Sequence, residues 1–181
     1  SFDFLNNKPF DYNGRFWVTK NEKTGRKTIK FTMGMAVMYL PFFVVGHLGA
    51  ILLDYTPYGY SLPYTVMLCF CGWFYALIGL FYLRKLLLLY YSDIVSSFTL
   101  VSIALGTNMF YYTTLNPTMT HSASFCLITM FLWYTIKWYN KKSFKTVFIL
   151  GMLMGIISLI RPTNALVALV FMLFNIGCIS D

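Results

Sequence analysis

Residues 62–83 read LPYTVMLCFCGWFYALIGLFYL and run directly into Arg84-Lys85. The stretch carries no charged side chain and is long enough to cross a bilayer, for which about 20 apolar residues suffice. Pro63 falls in its first turn, where a missing N–H costs little. The whole chain shares this character. Of its 181 residues 58% are hydrophobic, 20% aromatic and 11% charged, and its mean hydropathy is +0.64. Soluble domains average about 45–50% apolar and about 25% charged. The composition therefore excludes a soluble catalytic domain with its own core and predicts an all-α fold, a polytopic transmembrane helical bundle.

Downstream, residues 94–112 (IVSSFTLVSIALGTNMFYY) form a second expected span, with Tyr111 and Tyr112 as interface anchors. The turn TTLNPTMT at 113–120 leads to a third span over 121–138, a fourth over 146–160 and a fifth over 165–179. Upstream of the quoted run, DYTPYGYS at 54–61 is a polar turn. Residues 31–53 are apolar over a spanning length, but Pro41, His47 and the glycines at 34, 46 and 49 interrupt them. By hydropathy this segment either spans or lies at the interface. Residues 1–30 hold seven basic and three acidic side chains with several turn formers, and read as an aqueous loop with a small hairpin around Gly25. The chain begins without an initiator Met and stops directly after an apolar run, so it is expected to be an internal fragment of a larger polytopic protein.

The formal charge of +8 does not indicate nucleic acid, because a nucleic-acid binder gathers its charge on one soluble face. Here the charges lie between apolar runs. Beyond residue 30 the basic residues are Arg84, Lys85, Lys137, Lys141, Lys142, Lys145 and Arg161. The first six fall in two places, which the positive-inside rule assigns to the cytoplasm. The turns 54–61, 113–120 and 161–164 then belong to the opposite face, and Arg161 is the exception there.

A lone arginine at a membrane boundary marks an ion, lipid or substrate contact, or else snorkels to headgroup phosphates. Pro162 favours the first reading, because it ends the helix and fixes where the guanidinium emerges, and a guanidinium fork suits phosphate. His121 opens a helix on the same face. It is either a satisfied polar residue or a partner of Arg161 in polarising or deprotonating a group beside a phosphate. Asn108, Asn116 and Asn164 lie at similar depth, as helix caps, helix bridges or ligand contacts. Cys69, Cys71, Cys126 and Cys178 lie inside apolar runs with no ligand pattern and read as small buried hydrophobes. Gly151 and Gly155 form a GxxxG, expected to allow close helix packing.

Four stretches in order, TGRKTIKFTMGMAVMYLPFF, YGYSLPYTVMLCFCGWFYALIGLFYLRKLL, GTNMFYYTTLNPTMTHSASF and GMLMGIISLIRPTN, together resemble bacterial members of the GT-C glycosyltransferase superfamily. The likeness is to the protein-mannosyltransferase and aminoarabinose-transferase type and covers roughly residues 15–175. It implies an enzyme of the bacterial inner membrane that moves a sugar from a polyprenyl-phosphate donor to a protein, lipid or glycan acceptor on the extracytoplasmic face. It also implies that residues 1–30 belong to an extracytoplasmic N-terminal loop and that 31–53 is a juxtamembrane helix. Arg161 lies where relatives carry a basic residue on the donor phosphate, so the implied substrate-binding set is Arg161, His121 and Asn164. His121 falls near a position often acidic in relatives, which puts a metal-binding role there in question. No protein metal ligand is assigned and no cofactor is certain, although the chemistry leaves room for a divalent metal. The catalytic carboxylate is unknown: neither Asp3 nor Asp11 sits in a recognisable motif. The alternatives are a transporter of lipid or lipid-linked sugar, or a non-catalytic subunit of a larger membrane assembly.

Overall fold

The computed structural model describes residues 18–20, 27–29 and 33–174. Two short strands come first, β1 (Val18–Lys20) and β2 (Lys27–Ile29), paired antiparallel with Val18 opposite Ile29 and Lys20 opposite Lys27. The pairing agrees with the hairpin expected around Gly25, whose turn lies outside the described residues. Helices follow: α1 (Gly34–Leu52), α2 (Leu62–Leu87), α3 (Asp93–Gly106), α4 (Asn108–Thr114), α5 (Thr120–Asn140) and α6 (Phe144–Ile160). A 3-10 segment over Pro162–Val167 then leads into α7 (Ala168–Leu173).

Among the described residues, α1 and α2 are long and apolar enough to cross a membrane, and α3 with α4 makes a third if the bent pair is one span. This is fewer than the five spans expected. The helix α5 has 21 residues, but it opens with the polar turn Thr120-His121-Ser122-Ala123-Ser124, becomes apolar only from Phe125, and carries Thr129, Thr135 and Lys137. The helix α6 has only 17 residues.

The expected single span over 94–112 is instead broken, with α3 and α4 meeting at 59°. Gly106 is a weak helix former, and Thr107 takes extended dihedrals. Its hydroxyl accepts a hydrogen bond from the Met109 N–H at 3.2 Å and so caps a new helix. The same hydroxyl donates back to the Ile103 carbonyl at 2.7 Å. The expected span over 165–179 also differs, since its start is the 3-10 segment after Pro162; residues 175–179, like Cys178, lie outside the described residues.

The helix α2 has Pro63 in its first turn and Arg84 and Lys85 in its last, basic residues that complement the negative end of a helix dipole. It runs antiparallel to α1: the Tyr75 hydroxyl donates to the Met38 carbonyl at 2.9 Å, while Gly46 lies against Tyr64 and Gly49 against Pro63. It runs parallel to α5, since Pro117 presses on Gly72 and Phe125 on Gly79, and the Tyr82 and Tyr134 rings lie 6.3 Å apart. The core between α1, α5 and α6 is built from Met38, Ala123, Leu127, Phe131, Leu150, Leu153, Ile157 and Ile160. Cys71 and Cys126 are buried as expected, and Cys69 is half-buried.

The helix α1 continues through Pro41, whose ring forfeits one ladder hydrogen bond. At its start Gly34 abuts the Leu159–Ile160 backbone at the end of α6, so α1 and α6 meet end to end. Its outward residues, among them Val37, Leu40, Val44, Leu48 and Ile51, are apolar.

The GxxxG expectation is corrected by the fold. A Cβ added at Gly151 or Gly155 would meet nothing within 4 Å, so the close approach these glycines permit is not made inside the described chain. They line a shallow apolar groove with Phe148, Met152, Ile156 and Leu159. Gly151→Ala and Gly155→Ala are accordingly expected to leave thermal stability in detergent unchanged or raised by up to about 1 kcal/mol each, the helix-propensity gain of alanine over glycine. A large loss in either variant would mean that another surface seats on the groove.

Candidate functional site

The turn between α4 and α5, the first turn of α5 and the end of α6 converge at one end of the bundle. The opposite end carries Lys85, Lys137 and the α5–α6 turn, as the 5.5 Å separation of the Lys85 ammonium from the Trp133 ring shows. His121 and Lys137 are separated by sixteen residues of α5, which is about 24 Å of helix.

Arg161 ends α6 because Pro162 cannot continue the ladder. Its own backbone is extended (φ −147°, ψ 118°) and its side chain is exposed. Among the described residues no carboxylate pairs with it, the recorded ion pair being Arg84 with Asp93 at 2.8 Å. The described carboxylates are Asp93, held at the opposite end, and Asp54, just beyond the last turn of α1 with φ of 55°. The Asn164 N–H donates to the Arg161 carbonyl at 2.9 Å and folds the chain back. The Asn164 side-chain amide then reaches Ser124 Oγ on α5 at 3.2 Å. Asn164 is thus a helix bridge that ties the segment carrying Arg161 to the start of α5.

His121 is half-buried under Tyr112, the two rings stacked with centroids 3.9 Å apart and planes 18° apart. Tyr112 is therefore a cover for the imidazole as well as an aromatic residue near a boundary. Burial pushes the His121 pKa below its ordinary value, and the nearby Arg161 guanidinium pushes it the same way. The imidazole is consequently held neutral, able to donate from one nitrogen and accept at the other. The folded state resists a proton that the unfolded chain accepts near pH 6.5. The stability this residue contributes is therefore complete above about pH 6.5 and declines as pH falls below it. Tyr112→Ala uncovers the ring and is expected to move the His121 midpoint up toward 6.5; an NMR titration of the imidazole measures this, and an unmoved midpoint would remove the stack as the cause of burial.

No side chain caps α5, so its first N–H groups and the positive end of its dipole face the same end as Arg161. The hydroxyls of Thr120 and Ser122, flanking His121, are buried with no hydrogen-bond partner among the described residues. This end of the bundle thus gathers one full positive charge, a helix N-terminus and a neutral imidazole. Immediately beyond Arg161 a shallow apolar groove of about 560 Å³ runs along Pro162, Ala165, Leu166, Leu169 and Met172.

Compared with protein families, curated proteins and solved structures, the chain matches none.

The fold thus brings together the three residues expected as a site, Arg161, His121 and Asn164. Asn108 is exposed at the start of α4, and Asn116 contributes backbone hydrogen bonds to the turn before α5. Tyr112 was read in the sequence as an interface anchor and not as a cover for His121, and Ser122 and Ser124 were not singled out; the polar run THSAS after a proline turn was the available signal. Among the described residues no three His, Cys, Asp or Glu side chains are grouped to hold a metal.

Proposed function

We propose that this end of the bundle binds the phosphate of a polyprenyl-phosphate sugar donor, and that the protein is part of a bacterial inner-membrane glycosyltransferase of GT-C type. The observation that carries the reading is the exposed Arg161, free of any carboxylate among the described residues, standing between the start of α5 and an apolar groove. A ligand with an anionic head and a long apolar tail matches that pairing. Arg161 neutralises the leaving phosphate, the α5 N-terminus adds to its field, and neutral His121 donates a hydrogen bond beside it. Stabilising charge that develops on a leaving group is commonly the largest catalytic effect such a site supplies. The acceptor is a protein, lipid or glycan hydroxyl, and the carboxylate that deprotonates it is none of the residues described at this end.

In this reading the Arg161 end faces the extracytoplasmic side and the lysine-rich end faces the cytoplasm. The external loop expected over residues 1–30 lies, apart from 18–20 and 27–29, outside the described residues. The resemblance implies a juxtamembrane course for α1, but its antiparallel packing along α2, with Met38 by Tyr75 and Gly49 by Pro63, favours a course across the apolar layer. The test is equilibrium binding of the purified chain in lipid nanodiscs to polyprenyl phosphate and to the corresponding polyprenol. Preferential binding of the phosphate supports the reading; equal binding of both overturns it.

The 59° break between α3 and α4 favours a second reading, a transporter of lipid or lipid-linked sugar, because transporters build their sites from discontinuous helices. Sugar transfer to an acceptor by the whole protein separates the two.

A further inference from the structure

The end of the bundle opposite Arg161 has its own chemistry. Arg84 is engaged by Asp93 at 2.8 Å. Lys85 is nested among three rings, its ammonium 4.4 Å from the centroid of Phe81 and 5.5 Å from those of Tyr82 and Trp133. Lys137, Lys141, Lys142 and Lys145 are exposed, and none has a carboxylate partner among the described residues. Two of them lean on aromatic faces: Lys137 lies 5.7 Å from the Tyr134 ring and Lys142 lies 5.8 Å from the Trp138 ring. At the first residue of α6, between Lys142 and Lys145, Phe144 is 86% exposed. Four cations packed into nine residues repel one another unless an anion lies between them. A bare phenylalanine among them fits only an environment with an apolar layer beside a charged one.

We infer that the lysine-rich turn between α5 and α6 is a binding site for anionic phospholipid, with Lys137, Lys141, Lys142 and Lys145 on the headgroup phosphate and Phe144 among the acyl chains. The inference rests on the membrane reading above but not on glycosyl transfer. Charge complementarity selects the lipid class, since a zwitterionic headgroup carries its own ammonium and offers these lysines no net charge. The aromatic faces under Lys137 and Lys142 hold those ammonium groups at the level where indole and phenol rings settle at a bilayer surface.

Trp133 and Trp138 lie inside the patch and report on it. The experiment uses the full chain carrying Trp17→Phe and Trp73→Phe, reconstituted in phosphatidylcholine vesicles. A fixed fraction of either phosphatidylglycerol or phosphatidylcholine carries brominated acyl chains, which quench nearby tryptophan. Stronger quenching by brominated phosphatidylglycerol is the expected result. Its excess falls about fivefold for each lysine neutralised in the series ending at K137Q/K141Q/K142Q/K145Q. In the parent chain it also collapses in about 1 M salt, where the screening length is about 3 Å. Unchanged quenching by brominated phosphatidylcholine in the variants shows that they remain inserted. Equal quenching by the two lipids overturns the inference, as does an excess that survives in the quadruple variant. Displacement of the lipid by millimolar inorganic phosphate also overturns it, since the turn would then be a site for the free anion. Quenching by neither lipid overturns the membrane reading itself.

Discussion

Arg161→Ala is expected to weaken binding of polyprenyl phosphate about 10- to 100-fold while leaving polyprenol binding and thermal stability unchanged. The range follows from the roughly 1.5–3 kcal/mol that a hydrogen bond to a charged group contributes. The side chain is exposed and has no carboxylate partner among the described residues, so its removal strands no buried charge. Arg161→Lys keeps the charge but loses the planar fork, and should recover part of the affinity without reaching the parent value. In the whole protein Arg161→Ala should lower sugar transfer by about 100-fold or more, as losing a donor to a developing anion does. Calorimetry or native mass spectrometry in nanodiscs measures the first effect and product formation the second. Parent-like affinity and turnover in Arg161→Ala would end the assignment.

Gly34→Ala is expected to cause the largest loss of stability of any Gly→Ala change among the described helical glycines. A Cβ there would clash with Ile160 N and with Leu159 C. Both neighbours are backbone atoms of α6, so no flexible side chain can swing aside. Overpacking of this kind typically costs about 1–3 kcal/mol, and a rigid backbone partner puts this case at the upper end. Gly79→Ala is the instructive comparison: its Cβ would lie 2.5 Å from the Phe125 ring, which can turn, so a smaller loss is expected. Thermal unfolding of both variants in detergent, beside Gly151→Ala as a control, checks the order. Equal melting temperatures for Gly34→Ala and Gly151→Ala would show that the α1–α6 junction is not held as described.

Much of the architecture was legible because apolar runs broken by basic pairs and proline turns carry their own boundaries. The start of α2 just before Pro63, the end of α6 before Pro162 and the pairing of 18–20 with 27–29 all follow from local chemistry. What was not legible depended on which surfaces meet. A GxxxG records that close approach is allowed, not that a partner is present, and here the close contacts fall on Gly34, Gly72 and Gly79 instead. The break at Gly106-Thr107 was hidden because hydropathy averages over a window and does not see a threonine turning to cap the helix after it. At the candidate site, Arg161 stood out by being on the wrong face for its charge. Tyr112 did not, since one aromatic among many gains meaning only when a ring is found lying flat against it.

The stack of Tyr112 on His121 also joins two elements that the chain otherwise leaves loosely linked. The helix α4 has seven residues and is hinged to α3 at Thr107, so it works as a short lever with an aromatic plate near its tip. Any swing of that lever would tilt the imidazole relative to the guanidinium across from it. The posture of a residue fourteen positions upstream would thereby govern how the two groups present themselves to whatever lies between them.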